Sequence, residues 1–415
     1  MQQLLPALLL LILTHLPVAI KDLVAFDVKD YGAAGDGITD DTQAFADAWE
    51  ATCRKAAGLP IMFIPGKNKF LVSPIIFKGP CKASNVLVQV EGTLVAPDSP
   101  STWNFTDASL WIQFKSVDGL RLTSSGFGRF DGRGSNWWRQ SCKLDPRKGC
   151  TSLAPTAVKF VQCNDLAVSS LQFINSPQTH ILIIDSNRVY VTNLNITAPR
   201  TSPNTDGIHI HASQHVYIQD TIIGTGDDCI SIGDRTSDIV VTRITCGPGH
   251  GISVGSLGRG GSNVSVERIQ VSYVNFFNTT NGARIKTWQG ATGYAKSMSF
   301  EKIRFNNVQN PIIIDQNYGA KANNYTIQQN AVQISNVRYA YCAGTAKTDI
   351  AVNLNCSQTV PCTDIQFDNV NIPVTSRGDT TRAYCNNAHV TTSGYINPPV
   401  MPCFPLKQSS DNLIS

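Results

Sequence analysis

Asp206, Asp228 and His250 lie at two successive intervals of 22 residues, in SPNTDGIHI, GTGDDCISI and GPGHGIS, and Asp227 adjoins Asp228. Carboxyls gathered in one cleft repel each other when all are ionised, so one keeps its proton while another stays charged. A protonated carboxyl and a carboxylate side by side are what cleavage of a glycosidic bond requires. Arg284 and Lys286, in NGARIKTW, follow on the next segment, and a guanidinium with an ammonium suits the carboxylate of an acidic sugar. An aspartate doublet alone says little. Asp40 and Asp41, in GITDDTQAF, are explained by a helix start, with Asp41 placed to cap a helix from Thr42 to Ala57. A single Asp at a strand turn usually serves to satisfy backbone groups, so it is the joint set on a shared interval that points to catalysis.

The same interval governs the apolar residues. Ile208, Ile230 and Ile252 repeat at 22, as do Ile210, Ile232 and Val254, and the pairs Ile218/Val240 and Ile222/Ile244. Between about residues 60 and 375 the chain is a series of short alternating segments broken by Asn, Gly, Pro and Ser, the pattern of strands and turns. A unit of this length cannot bury an apolar face alone, whereas stacked coils make a continuous interior with backbones about 4.8 Å apart. The fold class is therefore all-β, a parallel β-helix, with the early helix as a lid over its open end. In that register Asp206, Asp228 and His250 are neighbours on three coils, and Asn281 to Ile285 continues them after an insertion, with Arg284 and Lys286 facing outward. One catalytic domain over 20–403 is expected, its far end tied by cysteines, with 404–415 a loose tail.

MQQLLPALLLLILTHLPVA reads as a secretory leader cleaved after Ala19, with Ala25 as the alternative. The twelve cysteines lack zinc spacing and suit disulfides in an oxidising compartment. Cys142/Cys150, Cys229/Cys246, Cys356/Cys362 and Cys385/Cys403 are the expected bridges. N-x-S/T sequons occur at Asn104, Asn195, Asn263, Asn278, Asn324 and Asn355, which agrees with secretion. A net charge of +4 without a Lys/Arg run argues against a nucleic-acid partner, and no later apolar run is long enough for a membrane span. A monomer without cofactor is expected. His209 and His211 form H-x-H without a third ligand, so no metal site is assigned. Trp137 and Trp138 could stack on sugar, though at least one is better explained by packing, and Asp234 with Arg235 reads as a turn.

SPNTDGIHI, TGDDC, GPGHGIS and RIKTW resemble the four signature segments of the polygalacturonases, glycoside hydrolase family 28, and the wider chain, including DYGAAGDGITDDT, is similar to plant members, those of pollen above all. The resemblance implies a right-handed parallel β-helix and hydrolysis of α-1,4 bonds of polygalacturonate (pectin) with inversion, and the likeness to pollen members favours exo over endo attack. It makes Asp227 the general acid, Asp206 and Asp228 the pair that activates water, and His250 a partner that tunes them. Arg284 and Lys286 would bind the galacturonate carboxylate, Tyr318 in DQNYG would contact substrate, and Asn204 completes the first motif. The coil spacing of about 4.8 Å is shorter than the roughly 6.5–9.5 Å typical of inverting carboxyl pairs, so inversion comes from the resemblance alone. A calcium-dependent pectate lyase would need a further acidic ligand and an arginine base, and a silent wall-binding glycoprotein would have no use for the full acid set.

Overall fold

The computed structural model describes residues 23–103, 107–126, 128–144, 146, 153–319, 328–374 and 380–404. The leader, Asn104, Asn324, the partner proposed for Cys142 at Cys150, and the tail from 405 lie outside the described residues. The chain groups into two compact units, Met1–His180 with Asp185–Asn195, and Ile181–Ile184 with Ile196–Ser415. Both are built from short parallel strands in stacked coils, a parallel β-helix.

In the first unit the expected lid is a helix over Thr42–Arg54. It buries Phe45 and Trp49 against Phe70 at 5.5 Å, Phe77 at 5.2 Å and Phe114 at 5.7 Å, and a Cys53–Cys81 bridge pins its last turn. Asp41 is the N-cap residue as expected, but its side chain makes no capping bond. Asp40, not Asp41, accepts from the Thr42 N–H (3.0 Å), while the Asp41 carboxylate turns back to the N–H groups of Ala34 (2.6 Å) and Gly35 (3.2 Å). The doublet thus holds a helix start and the preceding loop together.

In the second unit, strands Ile208–His211, Ile230–Ile232, Ile252–Leu257, Asn281–Thr287, Asn310–Asp315 and Ile350–Asn355 lie side by side in one sheet. Ile181 pairs with Ile208, Ile208 with Ile230, Ile230 with Ile252, Ile252 with Ala283, Ala283 with Ile312 and Ile312 with Val352. All of these side chains are buried, and the interval of 22 holds for this sheet from Ile208 to Ile252. It does not hold in the other sheet. There Ile218 pairs with Val241 and Ile222 with Thr245, an interval of 23, and Ile222 is exposed. The extra residue enters between Ile232, which pairs with Ile210, and Asp234, whose carbonyl accepts from Ala212 N–H in the register that pairs Gln214 with Ser237.

Two kinds of column run along this unit. Inside, Phe300, Tyr339 and Phe367 stack at 5.2 and 5.1 Å, and the buried Tyr339 hydroxyl has no hydrogen-bond partner. Leaving a buried donor unpaired costs about 1–3 kcal/mol, so Tyr339→Phe is expected to raise unfolding free energy by about 1 kcal/mol or more in urea melts. Outside, at one corner of each coil, Asp220, Arg243, Tyr273, Lys302, Tyr341 and Asn369 all adopt left-handed backbone with φ of 51–55°. Arg243 forks onto Asp220 at 2.6 and 2.8 Å, and Lys302 Nζ donates to the Tyr273 hydroxyl at 2.6 Å.

Three predicted bridges, Cys229–Cys246, Cys356–Cys362 and Cys385–Cys403, are formed. Cys163 and Cys342 are buried free thiols. Among the described residues no helix is long and apolar enough to cross a membrane.

Candidate active site

The doublet Asp227–Asp228 is fixed by the coils on either side of it. Asp228 O accepts from Gly207 N–H (2.9 Å) and Asp227 O accepts from His250 N–H (2.8 Å), while Cys229 is locked to Cys246. The residue before the pair must be glycine: a Cβ on Gly226 would sit 1.9 Å from Ser202 O. Backbone held on both sides leaves the two carboxylates no choice but to part, and each finds a different partner.

Asp227 Oδ1 accepts from the Asp228 N–H at 2.9 Å and meets His250 Nδ1 at 3.0 Å. With Ile230 opposite Ile252, His250 donates its N–H to Asp227 O as that interval of 22 allows, and its ring reaches the Asp227 carboxylate. Asp228 takes the stronger set. Its Oδ1 accepts from Arg284 Nη2 at 2.6 Å and from the Ser253 hydroxyl at 2.9 Å, and its Oδ2 accepts from Lys286 Nζ at 2.8 Å. Arg284 Nε also donates to Ser253 Oγ at 2.8 Å.

Arg284 and Lys286 leave the core side of their strand as expected, but they lie over Asp228 and not in open solvent. Lys286 is buried, with 8% of its side chain exposed against 2% for Asp228, because a carboxylate so enclosed is stable only when paired and hydrogen-bonded. The pair carries two positive charges against one negative. Behind it, Tyr318 places its ring 5.2 Å from Lys286 Nζ and packs edge-on to Trp288 at 5.4 Å, and the Arg259 guanidinium lies 5.8 Å over Trp288. Asn204 is exposed, in left-handed backbone with φ of 56°, and sits on the loop that leads into Asp206.

Asp206 is half-buried and accepts from the Ser231 hydroxyl at 2.7 Å. Burial, then the charges of Asp227 and Asp228, push its carboxyl up to about 8, against the opposing effects of Ser231 and Lys286. The sequence placed the retained proton on Asp227; the structure gives Asp206 a strongly raised pKa. A pKa raised on folding means that the folded chain binds a proton the unfolded chain has lost, so stability falls as pH rises from about 4 to about 8. Asp206→Asn is expected to remove this loss, which denaturant melts across that range would read as a flatter profile than wild type.

Asp227, Asp228 and His250 bring potential ligand atoms within 4.8 Å of one another. They fit a divalent cation poorly, since both oxygens of Asp228 are already bonded to Lys286 and Arg284, whose charges oppose a third cation. His209 and His211 are likewise occupied, His209 Nδ1 with Ser231 Oγ at 2.7 Å and His211 Nε2 with Arg235 at 3.1 Å. Trp137 is buried edge-on to Trp103, and Trp138 donates to Ser176 O, which makes the first of them packing. Asp234 accepts from Arg235 N–H and Ser265 N–H, a turn as expected. Sequence reasoning missed Ser231 and Ser253. Both sit one residue past a core isoleucine on the outward phase of ISI and IS, and the strand alternation could have found them.

The Glycosyl hydrolases family 28 profile matches residues 53–394. Polygalacturonase QRT2 of Arabidopsis thaliana is 42% identical over 374 residues, which cover 90% of this chain and 84% of that protein. By backbone the chain is similar to an endo-xylogalacturonan hydrolase from Aspergillus tubingensis, with a TM-score of 0.76 at 23% identity over 89% of this chain and 100% of the other. It is also similar to a hyperthermoactive exopolygalacturonase from Thermotoga maritima, with a TM-score of 0.73 at 21% identity over 89% and 90% of the two chains. Matching profile, relative and fold, around a cluster of acids backed by two cations, place the chain in glycosyl hydrolase family 28.

Proposed function

We propose that the protein hydrolyses α-1,4-galacturonosidic bonds of polygalacturonate, with inversion and by attack from the chain end. The observation that carries the reading is the convergence of Asp206, Asp227 and Asp228 beside Arg284 and Lys286, acids for the bond and cations for a uronate. Asp227, held by His250, protonates the leaving oxygen. Asp228 has its charge matched by two cations, and with Asp206 it orients and deprotonates the attacking water. Of the two charges on Arg284 and Lys286, one balances Asp228 and the other is left for the sugar carboxylate, which slides over the Tyr318 ring while Asn204 meets it from the loop. The nearby Asp227 and Asp228 also explain why protons stay on the cluster, since like charges at this range cannot all be ionised.

The disulfides among the described residues support a secreted protein acting in the cell wall, and the substrate requires no cofactor, nucleic acid or membrane. We read it as a monomer. Product sizing on polygalacturonate tests the reading. Early monogalacturonate with slow loss of viscosity supports exo action, mixed oligomers with rapid loss make it endo, and an unsaturated product that a chelator suppresses replaces hydrolysis with lyase chemistry. Time-resolved NMR of the first anomer tests inversion, which an initial α product would refute.

A further inference from the structure

We infer that Ser231 and His209 form a positioning relay behind Asp206, in which the tautomer of His209 follows the protonation of that carboxyl. Asp206 Oδ2 and His209 Nδ1 each lie 2.7 Å from Ser231 Oγ, and the hydroxyl between them owns a single hydrogen. When Asp206 is ionised, Ser231 donates to it, and the second contact holds only if His209 Nδ1 carries a hydrogen and donates to Ser231. When the proton rests on Asp206 Oδ2, that O–H donates to Ser231, whose hydrogen then turns to His209 Nδ1. His209 must in that state be protonated at Nε2 alone. Each state satisfies every contact with a neutral imidazole, and the two differ by one proton taken from solvent: it enters at His209 Nε2 while the Nδ1 hydrogen passes to Ser231 and the Ser231 hydrogen to Asp206.

His209 is suited to this part. Burial and the neighbouring His211 push its pKa down to about 4, so it is neutral through the range in which Asp206 titrates. The His211 ring lies against it in a stack at 6.5 Å and is held by Arg235, which keeps the imidazole plane fixed. The charged groups acting on the relay are Asp227, Asp228 and Lys286 on the Asp206 side, and His211, Asp228 and Lys286 on the His209 side. Neither Ser231 nor His209 belongs to the acid pair itself. They fix which oxygen of Asp206 faces the water, and so deepen the proposed hydrolysis without being needed to deduce it.

The test has an arm that needs no substrate. With 13C in the aspartate carboxyls and 15N in the imidazoles, the Asp206 resonance and the His209 ring nitrogens are expected to move with one midpoint, Nδ1 passing from bare to protonated as Asp206 ionises. Ser231→Ala should uncouple them and move the Asp206 midpoint to higher pH, because a donor to the carboxylate is lost. His209→Asn keeps a nitrogen near the place of Nδ1 and is expected to keep the wild-type Asp206 midpoint, whereas His209→Phe fills the space without one and should shift it as Ser231→Ala does. In turnover, Ser231→Ala and His209→Phe should each lower kcat on the order of 10-fold with KM little changed, and the double variant should be no worse than either. A His209 tautomer that stays constant through the Asp206 titration overturns the relay, as do equal midpoints in the Asn and Phe variants of His209. If wild type shows the coupled titration but no hydrolysis of polygalacturonate, the relay stands and the proposed reaction falls.

Discussion

Asp227→Asn is expected to lower kcat on polygalacturonate by about 100-fold to 10,000-fold, the range attached to a positioned proton donor, with KM nearly unchanged. The amide occupies the same volume and its oxygen can still accept from the Asp228 N–H and from His250 at the present 2.9 and 3.0 Å. What it lacks is the proton for the departing sugar oxygen. Because the doublet's main chain is anchored to Gly207 and His250 and the next residue is in a disulfide, the variant should melt within about 1 kcal/mol of wild type. Initial rates by reducing-end release, with melting curves as control, check both parts. Undiminished hydrolysis by a folded Asp227→Asn would remove Asp227 from the acid role, and the raised pKa of Asp206 would make that residue the replacement.

Lys286→Met should destabilise the fold by about 1.5–3 kcal/mol, the loss of one hydrogen bond to a buried charge. Methionine matches the lysine stem but withdraws the 2.8 Å donor to Asp228 Oδ2, and the carboxylate stays enclosed with Arg284 as its one cationic partner. Arg284 keeps the charge paired, so the cost is that of the lost donor and not that of a bare buried carboxylate. The double variant Lys286→Met with Asp228→Asn should recover much of the loss, since it removes the charge together with its partner. Urea melts of the four proteins in the cycle measure the coupling. Independent, additive effects would show that Lys286 serves the solvent or the substrate and not Asp228.

Much of this site was legible in the sequence because solenoid geometry converts an interval into a contact. Ile208, Ile230 and Ile252 fixed one sheet, and with it the closeness of Asp206 to Asp228. Spacing stops predicting contacts where the interval changes. The residue added between Ile232 and Asp234 shifts the second sheet by one, so Ile222 lies outside the core. Direction was harder to read than proximity. Alternation placed Arg284 and Lys286 off the core side of their strand, as found, but could not tell a cation that reaches for solvent from one drawn sideways into a carboxylate two coils away. Asp41 shows the same gap at small scale: its doublet does start a helix, yet which of two adjacent carboxylates caps it depends on a loop brought in from Ala34 and Gly35.

The six corner residues with left-handed backbone, from Asp220 to Asn369, turn the chain by the same amount at the same point of every coil. Such a conformation strains any residue with a Cβ by about 1–2 kcal/mol, yet arginine, tyrosine and lysine hold it here. Growth or loss of length in this molecule is therefore quantised. A whole coil brings its own bend and joins the column, whereas a few residues inserted between bends would rotate everything downstream and tear the aliphatic files apart, so tolerated insertions belong in the excursions between strands, where a saccharide chain would first be met.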